Sequence, residues 1–225
     1  MADHEQSAGA APAYLPALRW KALTPIFDLV VRVTMRERAF KRRLLDQANV
    51  GVGDRVLDVG AGTGTLAISL KERSAGAVVT GLDADPGVLE QARRKAASSG
   101  CDVGFVEGFS TALPFPDDHF DTVLSSLFFH HLSGADKRRT VKEIARVLKP
   151  AGELHVADLG KPANVLMAAL FLVVRAFDGF DVTAENARGA LPELFTEGGL
   201  EAAELSQELA TPLGTLALYR ARKPS

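Results

Sequence analysis

Three glycines between a predicted strand and a predicted helix are the part of this sequence with the clearest chemical meaning. They lie in VLDVGAGTG, residues 56–64, where a buried strand must turn abruptly into a helix. Glycine lets backbone approach a ligand more closely than any side chain allows. Amides at the helix start suit a carboxylate, and Asp58 offers an acceptor on the opposite side. The loop predicts a site for a zwitterionic amino-acid group.

A second carboxylate extends this site toward a nucleoside. Asp83 ends the next predicted strand about 20 residues after the loop, the offset at which an acidic side chain accepts hydrogen bonds from ribose. A glycine loop alone also fits a simple tight turn, and Asp83 disfavours that interpretation. The dinucleotide pattern G-x-G-x-x-G fails because Thr65 replaces its third glycine, and the Walker pattern lacks its Gly-Lys-Ser/Thr ending. We therefore expect neither a nicotinamide dinucleotide nor a nucleoside triphosphate.

Regular alternation of strands and helices supplies the elements that must position these groups. Each helix returns the chain to the same sheet edge, which implies parallel strands. We predict an α/β fold: a Rossmann-like three-layer sandwich with a mostly parallel seven-stranded sheet and an antiparallel C-terminal hairpin at its edge. The predicted strands are 55–59, 77–82, 103–106, 120–125, 154–157, 203–209 and 215–220, and the helices are 65–71, 86–98, 135–148, 163–177 and 190–196.

Four segments describe the predicted domain organisation. Residues 1–13 are expected to be a flexible tail, 14–49 an N-terminal helical cap, and 50–225 the main domain, in which 162–190 form an apolar cap insertion. The longest apolar run, residues 165–174, has about half the length needed to cross a bilayer. We expect a cytoplasmic protein.

Composition excludes several other classes of protein. The 225 residues carry a net charge of -2, which gives no electrostatic reason to bind nucleic acid. The single cysteine, Cys101, excludes an internal disulfide and a cysteine-based zinc site.

Five ordered segments resemble class I S-adenosylmethionine methyltransferases, particularly the branch of ubiquinone and menaquinone biosynthesis enzymes and small phospholipid N-methyltransferases. They are VLDVGAGTG at 56–64, GLD at 81–83, ALPFP at 112–116 running into Phe120 and Asp121, FFHHL at 128–132, and LKPAG at 148–152. The resemblance spans roughly residues 50 to 160. It implies S-adenosylmethionine as cofactor and methyl transfer to a small acceptor as the activity.

The resemblance also implies which residues hold the cofactor. Gly60 and Gly62 line its methionine part, Asp58 orients the amino group, and Asp83 holds the ribose. The remaining expected cofactor contacts are Ala61, Gly64, Ala84, Phe109, Ser110, Ser125 and Ser126, of which the last two sit beside the sulfonium.

Two positions depart from the family pattern. Phe109 stands where these relatives often carry an acidic residue beside the adenine, so we expect backbone or Ser110 to recognise the adenine amino group and Phe109 to pack on the ring or in the core. The usual Pro-Gly-Gly turn reads Pro150-Ala151-Gly152, a mild change if only one position needs positive φ.

Two histidines after the fourth strand are the candidates for acid-base chemistry. A methyl group on sulfonium is already activated, so no metal is required, but a phenol, hydroxyl or ring-carbon acceptor benefits from a base. His130 is expected to line the cleft and is the candidate catalytic base, whereas His131 is expected to pack behind it. Asp158 either orients an acceptor or caps a helix.

The two caps suggest a lipophilic acceptor but leave alternatives open. The apolar side chains of the insertion either line the acceptor pocket or cover the sheet or a homodimer partner; they are Leu166, Met167, Leu170, Phe171 and Phe177. Basic residues between Arg32 and Arg43 either contact an anionic membrane surface or form a solvated helix face. Phospholipid headgroup methylation and a regulatory module that binds the cofactor without turnover therefore stay as alternative functions.

Overall fold

The computed structural model describes residues 37–211 and 214–225, except the side chains of Glu37, Leu170, Val173, Val174, Phe177 and Asp178. The strands are β1 (Arg55–Val59), β2 (Val78–Asp83), β3 (Gly104–Glu107), β4 (Phe120–Ser126), β5 (Leu148–Leu159), β6 (Glu201–Thr211) and β7 (Gly214–Arg222). The α-helices of the described residues are α1 (Glu37–Ala48), α2 (Thr65–Arg73), α3 (Pro86–Ser98), α4 (Gly134–Val147), α5 (Val165–Asp178), α6 (Ala184–Arg188) and α7 (Leu191–Glu197).

These strands form one seven-stranded sheet in the order β3-β2-β1-β4-β5-β7-β6. Strands β1 to β5 pair in parallel, and β7 pairs antiparallel with both β5 and β6. The predicted Rossmann-like fold with a C-terminal edge hairpin is confirmed. Strand order reverses between β1 and β4, so a crevice opens above their carboxyl ends, where ligands bind in open α/β sheets.

Alternating side chains of the strands build one core on each face of the sheet. Leu57 and Val59 of β1 join the core beneath α4 and α7, whereas Val56 joins the core beneath α1, α2 and α5. This alternation is the two-residue period of a strand that is covered on both faces. Asp58 alternates with Leu57 and Val59 and therefore lies on the second face, with α1 and α2.

Several predicted boundaries differ from the observed ones. β5 begins at Leu148 rather than residue 154, because Ala151 adopts a φ of +62° and turns the chain while pairing with β4 continues on both sides. The short helix α6 was not predicted. The tail at residues 1–13, and the part of the N-terminal cap before residue 37, lie outside the described residues. Within the part of the chain that is described, no helix is long and apolar enough to span a bilayer.

Candidate functional site

Three left-handed glycines shape the loop between β1 and α2. Gly60, Gly62 and Gly64 have φ values of +72°, +52° and +72°. A Cβ at Gly60 would overlap the ring of Phe128, and one at Gly64 would lie 2.8 Å from the ring of Phe105. A Cβ at Gly62 would meet nothing within 4 Å. Two glycines thus permit close packing, while the middle one leaves an open backbone surface that a ligand can approach.

The loop is joined to the end of β2. The amides of Gly60 and Ala61 both donate to the carbonyl of Leu82 at 2.9 Å, and the Gly62 amide donates to Asp83 Oδ2 at 2.8 Å. Asp83 Oδ1 accepts from the amide of Asp85 at 3.0 Å. The predicted proximity of the loop and Asp83 is present. The amides of Gly60, Ala61, Gly62 and Gly64 thus have partners within the fold.

Asp58 is a buried carboxylate beneath this loop. Neither of its oxygens meets the geometry of a hydrogen bond with the described residues, although the Ala67 amide lies close enough to favour the charged form. Burial raises the pKa of Asp58 to about 7, partly opposed by the positive charge of Lys41 on α1. An unsatisfied buried acceptor is costly and recurs at functional sites. Its chemistry fits the ammonium of an amino-acid group.

The two residues expected near the adenine, Phe109 and Ser110, differ in their exposure to solvent. Phe109 is 41% exposed, which excludes a core role. The Ser110 hydroxyl is buried and exchanges a 2.8 Å hydrogen bond with Thr140 Oγ1 on α4, so it is used inside the fold. The Gly108 amide donates to the carbonyl of Asp83 at 3.0 Å and holds this turn beside the end of β2. Phe109 therefore offers a ring face at the edge of the crevice.

The small residues expected to contact the cofactor also differ in burial. Ser125 is fully buried, and its hydroxyl donates to the carbonyl of Val59 at 2.9 Å, which ties β4 to β1. Ser126, Ala61 and Ala84 are half-buried. Ser126 thus remains the more accessible of the two serines at the end of β4.

His130 and Asp158 form a buried pair beyond the end of β4. His130 lies in a 3₁₀ turn, Phe129–His131, and its Nδ1 is 2.7 Å from Asp158 Oδ1. Asp158 Oδ2 accepts from the amides of Phe128 and Phe129 at 3.0 and 2.7 Å. Asp158 therefore caps the 3₁₀ turn and orients its histidine. The predicted role in orienting an acceptor stays a prediction. His131 is exposed, and its ring centroid lies 3.9 Å from that of His130, so it contacts the His130 ring while it remains at the surface.

Hydrogen bonds keep Asp158 ionised. Burial alone would raise its pKa, but the charge that His130 can carry, their hydrogen bond and the Leu159 amide hold the pKa of Asp158 below its usual value. An ionised Asp158 can only accept, so the proton of a neutral His130 lies on Nδ1 and the lone pair on Nε2. This arrangement orients the imidazole as a base.

The apolar insertion is only partly available to an acceptor. Phe171 belongs to the core beneath α1 and α5, whereas Val165 and Leu166 are 86% and 64% exposed. Met167 is half-buried, and the side chains of Leu170 and Phe177 are not among those described. Sequence reasoning also missed Asn186, a buried residue beside Asp158, because a five-residue helix carries no recognisable periodicity.

Comparisons with known proteins agree with this geometry. A family model described as a methyltransferase domain matches residues 56–152. The demethylmenaquinone methyltransferase of Thermus thermophilus is 39% identical over 157 residues, 69% of each chain. The ubiquinone/menaquinone biosynthesis C-methyltransferase UbiE of Xanthomonas oryzae is 41% identical over 178 residues, 72% of this chain and 69% of its own. The crystal structure of YcgJ from Bacillus subtilis shares the fold, with a TM-score of 0.67 at 22% identity over 82% of this chain and 98% of that one.

The relatives supply what the shared fold alone cannot, since one fold hosts many functions. The chain is an S-adenosylmethionine-dependent methyltransferase that acts on a small molecule, and it belongs to the family of ubiquinone and menaquinone biosynthesis methyltransferases.

Proposed function

We propose that this enzyme methylates a ring carbon of a demethylated quinol that carries a lipophilic tail. The proposal rests on the position of the His130–Asp158 pair next to the glycine loop. Phe128 packs its ring against Gly60 in the glycine loop and donates its amide to Asp158, so one residue joins the cofactor loop to the histidine turn. The names of the relatives indicate quinone precursors as their acceptors. A phenolic acceptor is the class that benefits from a neutral imidazole base.

The cofactor contacts of the proposal follow the sequence motifs. S-Adenosylmethionine supplies an activated methyl electrophile, so the protein must mainly align the acceptor and exclude water. Asp58 and the loop hold the amino-acid end, Asp83 holds the ribose, and Phe109 stacks on the adenine. The full proposed set is Asp58, Gly60, Ala61, Gly62, Gly64, Asp83, Ala84, Phe109, Ser110, Ser125 and Ser126, with the last three contributing backbone or van der Waals contact.

His130 is the proposed general base. Its Nε2 accepts the proton of a ring hydroxyl, which raises the electron density at the adjacent ring carbon. That carbon forms the bond to the methyl group as the methyl–sulfur bond breaks. Its own proton then passes to water, and the His130 imidazolium returns its proton to the ring oxygen. Asp158 keeps the Nδ1 proton in place and stabilises the imidazolium that results.

The insertion at residues 162–190 supports a lipophilic acceptor. Val165 and Leu166 present exposed apolar surface on α5, which can receive a prenyl tail. We also expect peripheral membrane contact, a homodimer and a cytoplasmic location. The proposed segments are a tail at 1–13, an N-terminal cap at 14–49 and the main domain at 50–225. The described residues favour neither phospholipid headgroup methylation nor a role without turnover.

Labelled methyl transfer to matched acceptors tests the proposal. The acceptors are a demethylated prenyl naphthoquinol, the same ring without its tail, and vesicles containing phosphatidylethanolamine. We expect label on a ring carbon of the prenyl quinol, a higher KM without the tail, and a kcat about 100-fold lower for His130→Gln with unchanged cofactor affinity. Label in phosphatidylethanolamine alone would replace the proposal with headgroup methylation. Cofactor binding without label in any acceptor would favour the regulatory module.

A further inference from the structure

Asn186 is a buried amide in contact with the candidate catalytic pair. Its Nδ2 lies 2.9 Å from the carbonyl oxygen of Leu159 and 3.3 Å from Asp158 Oδ1. Both partners are acceptors, which fixes the orientation of the amide. Asn186 Oδ1 is buried and has no hydrogen-bond partner among the described residues. Such an arrangement is costly unless the amide has a role beyond packing.

A network of ion pairs between α6 and α4 fixes the position of Asn186. The preceding residue, Glu185, lies 3.3 Å from the ammonium of Lys137 and 3.1 Å from the guanidinium of Arg138, both on α4. Lys137 is fully buried and also donates to the carbonyl of Val182, just before α6. Glu185 and Asn186 are neighbours on α6. Docking of α6 on α4 therefore sets the distance between Asn186 and Asp158.

The carboxylate of Asp158 receives five donors. Oδ2 accepts the amides of Phe128 and Phe129, and Oδ1 accepts the Leu159 amide, His130 Nδ1 and Asn186 Nδ2. Three donors come from the histidine turn and the residue before it, and one comes from the strand itself. Among the described residues, Asn186 is the donor that the cap insertion contributes.

We propose that Asn186 is a positioning residue, which holds Asp158 Oδ1 in line with His130 Nδ1 and so fixes the orientation and basicity of the imidazole. The kinetic part of this inference rests on the proposed role of His130. Loss of the amide leaves more carboxylate charge for the imidazolium, so the pKa of His130 rises. The charged and titratable groups near the pair are His131, whose ring lies tilted against that of His130, Lys137 on α4 and Tyr219 on β7. None of these groups changes in an Asn186 variant.

Histidine-selective NMR of the whole enzyme measures this effect without an acceptor. The variants are Asn186→Leu, which keeps volume but removes the donor, Asn186→Gln, which keeps the amide, and Arg188→Ala, an exposed control on the same helix. Asn186→Leu should raise the pKa of His130 by about half a unit to one unit and shift its Nδ1–H resonance. With cofactor and prenyl quinol, its kcat should fall about tenfold, with an unchanged KM and the acidic limb of the pH profile displaced to higher pH by the same amount. Asn186→Gln should restore most of the wild-type His130 pKa and kcat, and Arg188→Ala should match the wild type in both.

Two results would overturn the proposal. One is a folded Asn186→Leu enzyme with the His130 pKa and Nδ1–H resonance of the wild type. The other is a fall in kcat without any displacement of the pH profile, which would show a merely structural role. If Asn186→Leu does not fold, Asn186→Ala decides, because it also removes the amide donor to Asp158 and should raise the His130 pKa in the same direction. A fully active His130→Gln enzyme would refute the proposed base and leave the NMR result on Asn186 intact.

Discussion

The amide of Phe128 and the carboxylate of Asp158 are 3.0 Å apart, although 30 residues separate them in the chain. The same Phe128 places its ring against Gly60, where any Cβ would overlap it. One residue thus connects the glycine loop, which follows β1, to the acid-base pair, which spans the ends of β4 and β5. This connection explains why a cofactor loop and a candidate base occupy one crevice.

Replacing Asp58 by Asn is expected to stabilise the protein and weaken cofactor binding. The pKa of Asp58 is raised from 3.8 to about 7 by burial, so the ionised form is disfavoured in the fold and stability falls as pH rises from about 3.8 to 7. The stability difference between Asp58→Asn and wild type should therefore grow by about 2 kcal/mol between pH 5 and pH 8 in urea titrations. Calorimetry should show affinity for S-adenosylmethionine reduced about 10-fold or more.

Val56→Ala is the matched control for this test. It removes uncharged volume from the same strand and the same face of the sheet. Its effect on stability should be equal at both pH values. If the stability difference between Asp58→Asn and wild type is also independent of pH, burial does not disfavour the ionised form of Asp58.

The Ala151–Gly152 turn is expected to respond in opposite directions to two small substitutions. Ala151 has a φ of +62°, a region that penalises a Cβ, whereas a Cβ at Gly152 would lie 2.9 Å from the Lys149 carbonyl oxygen. Ala151→Gly should raise the free energy of unfolding by about 0.5 to 1 kcal/mol, and Gly152→Ala should lower it by about 1 to 3 kcal/mol. Denaturant titrations measure both values. Equal effects of the two substitutions would refute this description of the turn.

His155 is expected to weaken the protein in acid. It is fully buried, with Nδ1 3.0 Å from Gln47 Nε2 and Nε2 3.1 Å from Glu153 Oε2. Burial lowers its pKa from 6.5 to about 4, so its neutral ring stabilises the fold above pH 6.5, and this contribution is lost as pH falls toward 4. Between about pH 7 and pH 4.5, wild type should lose about 2 to 3 kcal/mol relative to His155→Gln.

The half-exposed His119 serves as the comparison for His155. His119→Gln should change the acid sensitivity of stability much less. If both substitutions have the same effect, the burial of His155 is not the cause.

Phe109→Ala is expected to weaken cofactor binding without affecting the fold. Its ring is exposed at the crevice edge, so truncation removes the proposed stacking on adenine but little core packing. Affinity for S-adenosylhomocysteine should fall about threefold to tenfold, with an unchanged thermal midpoint. Val52→Ala, at an exposed site on the loop before β1, should leave both unchanged. Unaltered affinity in Phe109→Ala would remove this residue from the adenine site.

The sequence was sufficient to predict the parts of the fold that follow from local pattern. The helix at residues 86–98 was predicted with its observed bounds, because Pro86 occupies its first turn, and the structure adds Asp85 as its N-cap. The strand pairing followed from alternation, and the offset of Asp83 from the loop placed both at one edge. Long-range relationships were not predictable, since no local pattern shows that Ser110 turns toward Thr140 or that α6 delivers Asn186 to Asp158.

We propose that the glycine loop and Asp83 hold the cofactor with its methyl group beside His130. NMR with [methyl-¹³C]S-adenosylmethionine, in the absence of an acceptor, measures this most directly. We predict a nuclear Overhauser effect between the labelled methyl group and the ring of His130, absent in His130→Gln and in Asp83→Ala, which loses the cofactor. Two results would contradict this placement of the cofactor. One is saturated cofactor binding without a nuclear Overhauser effect to His130, and the other is wild-type cofactor affinity in Asp83→Ala.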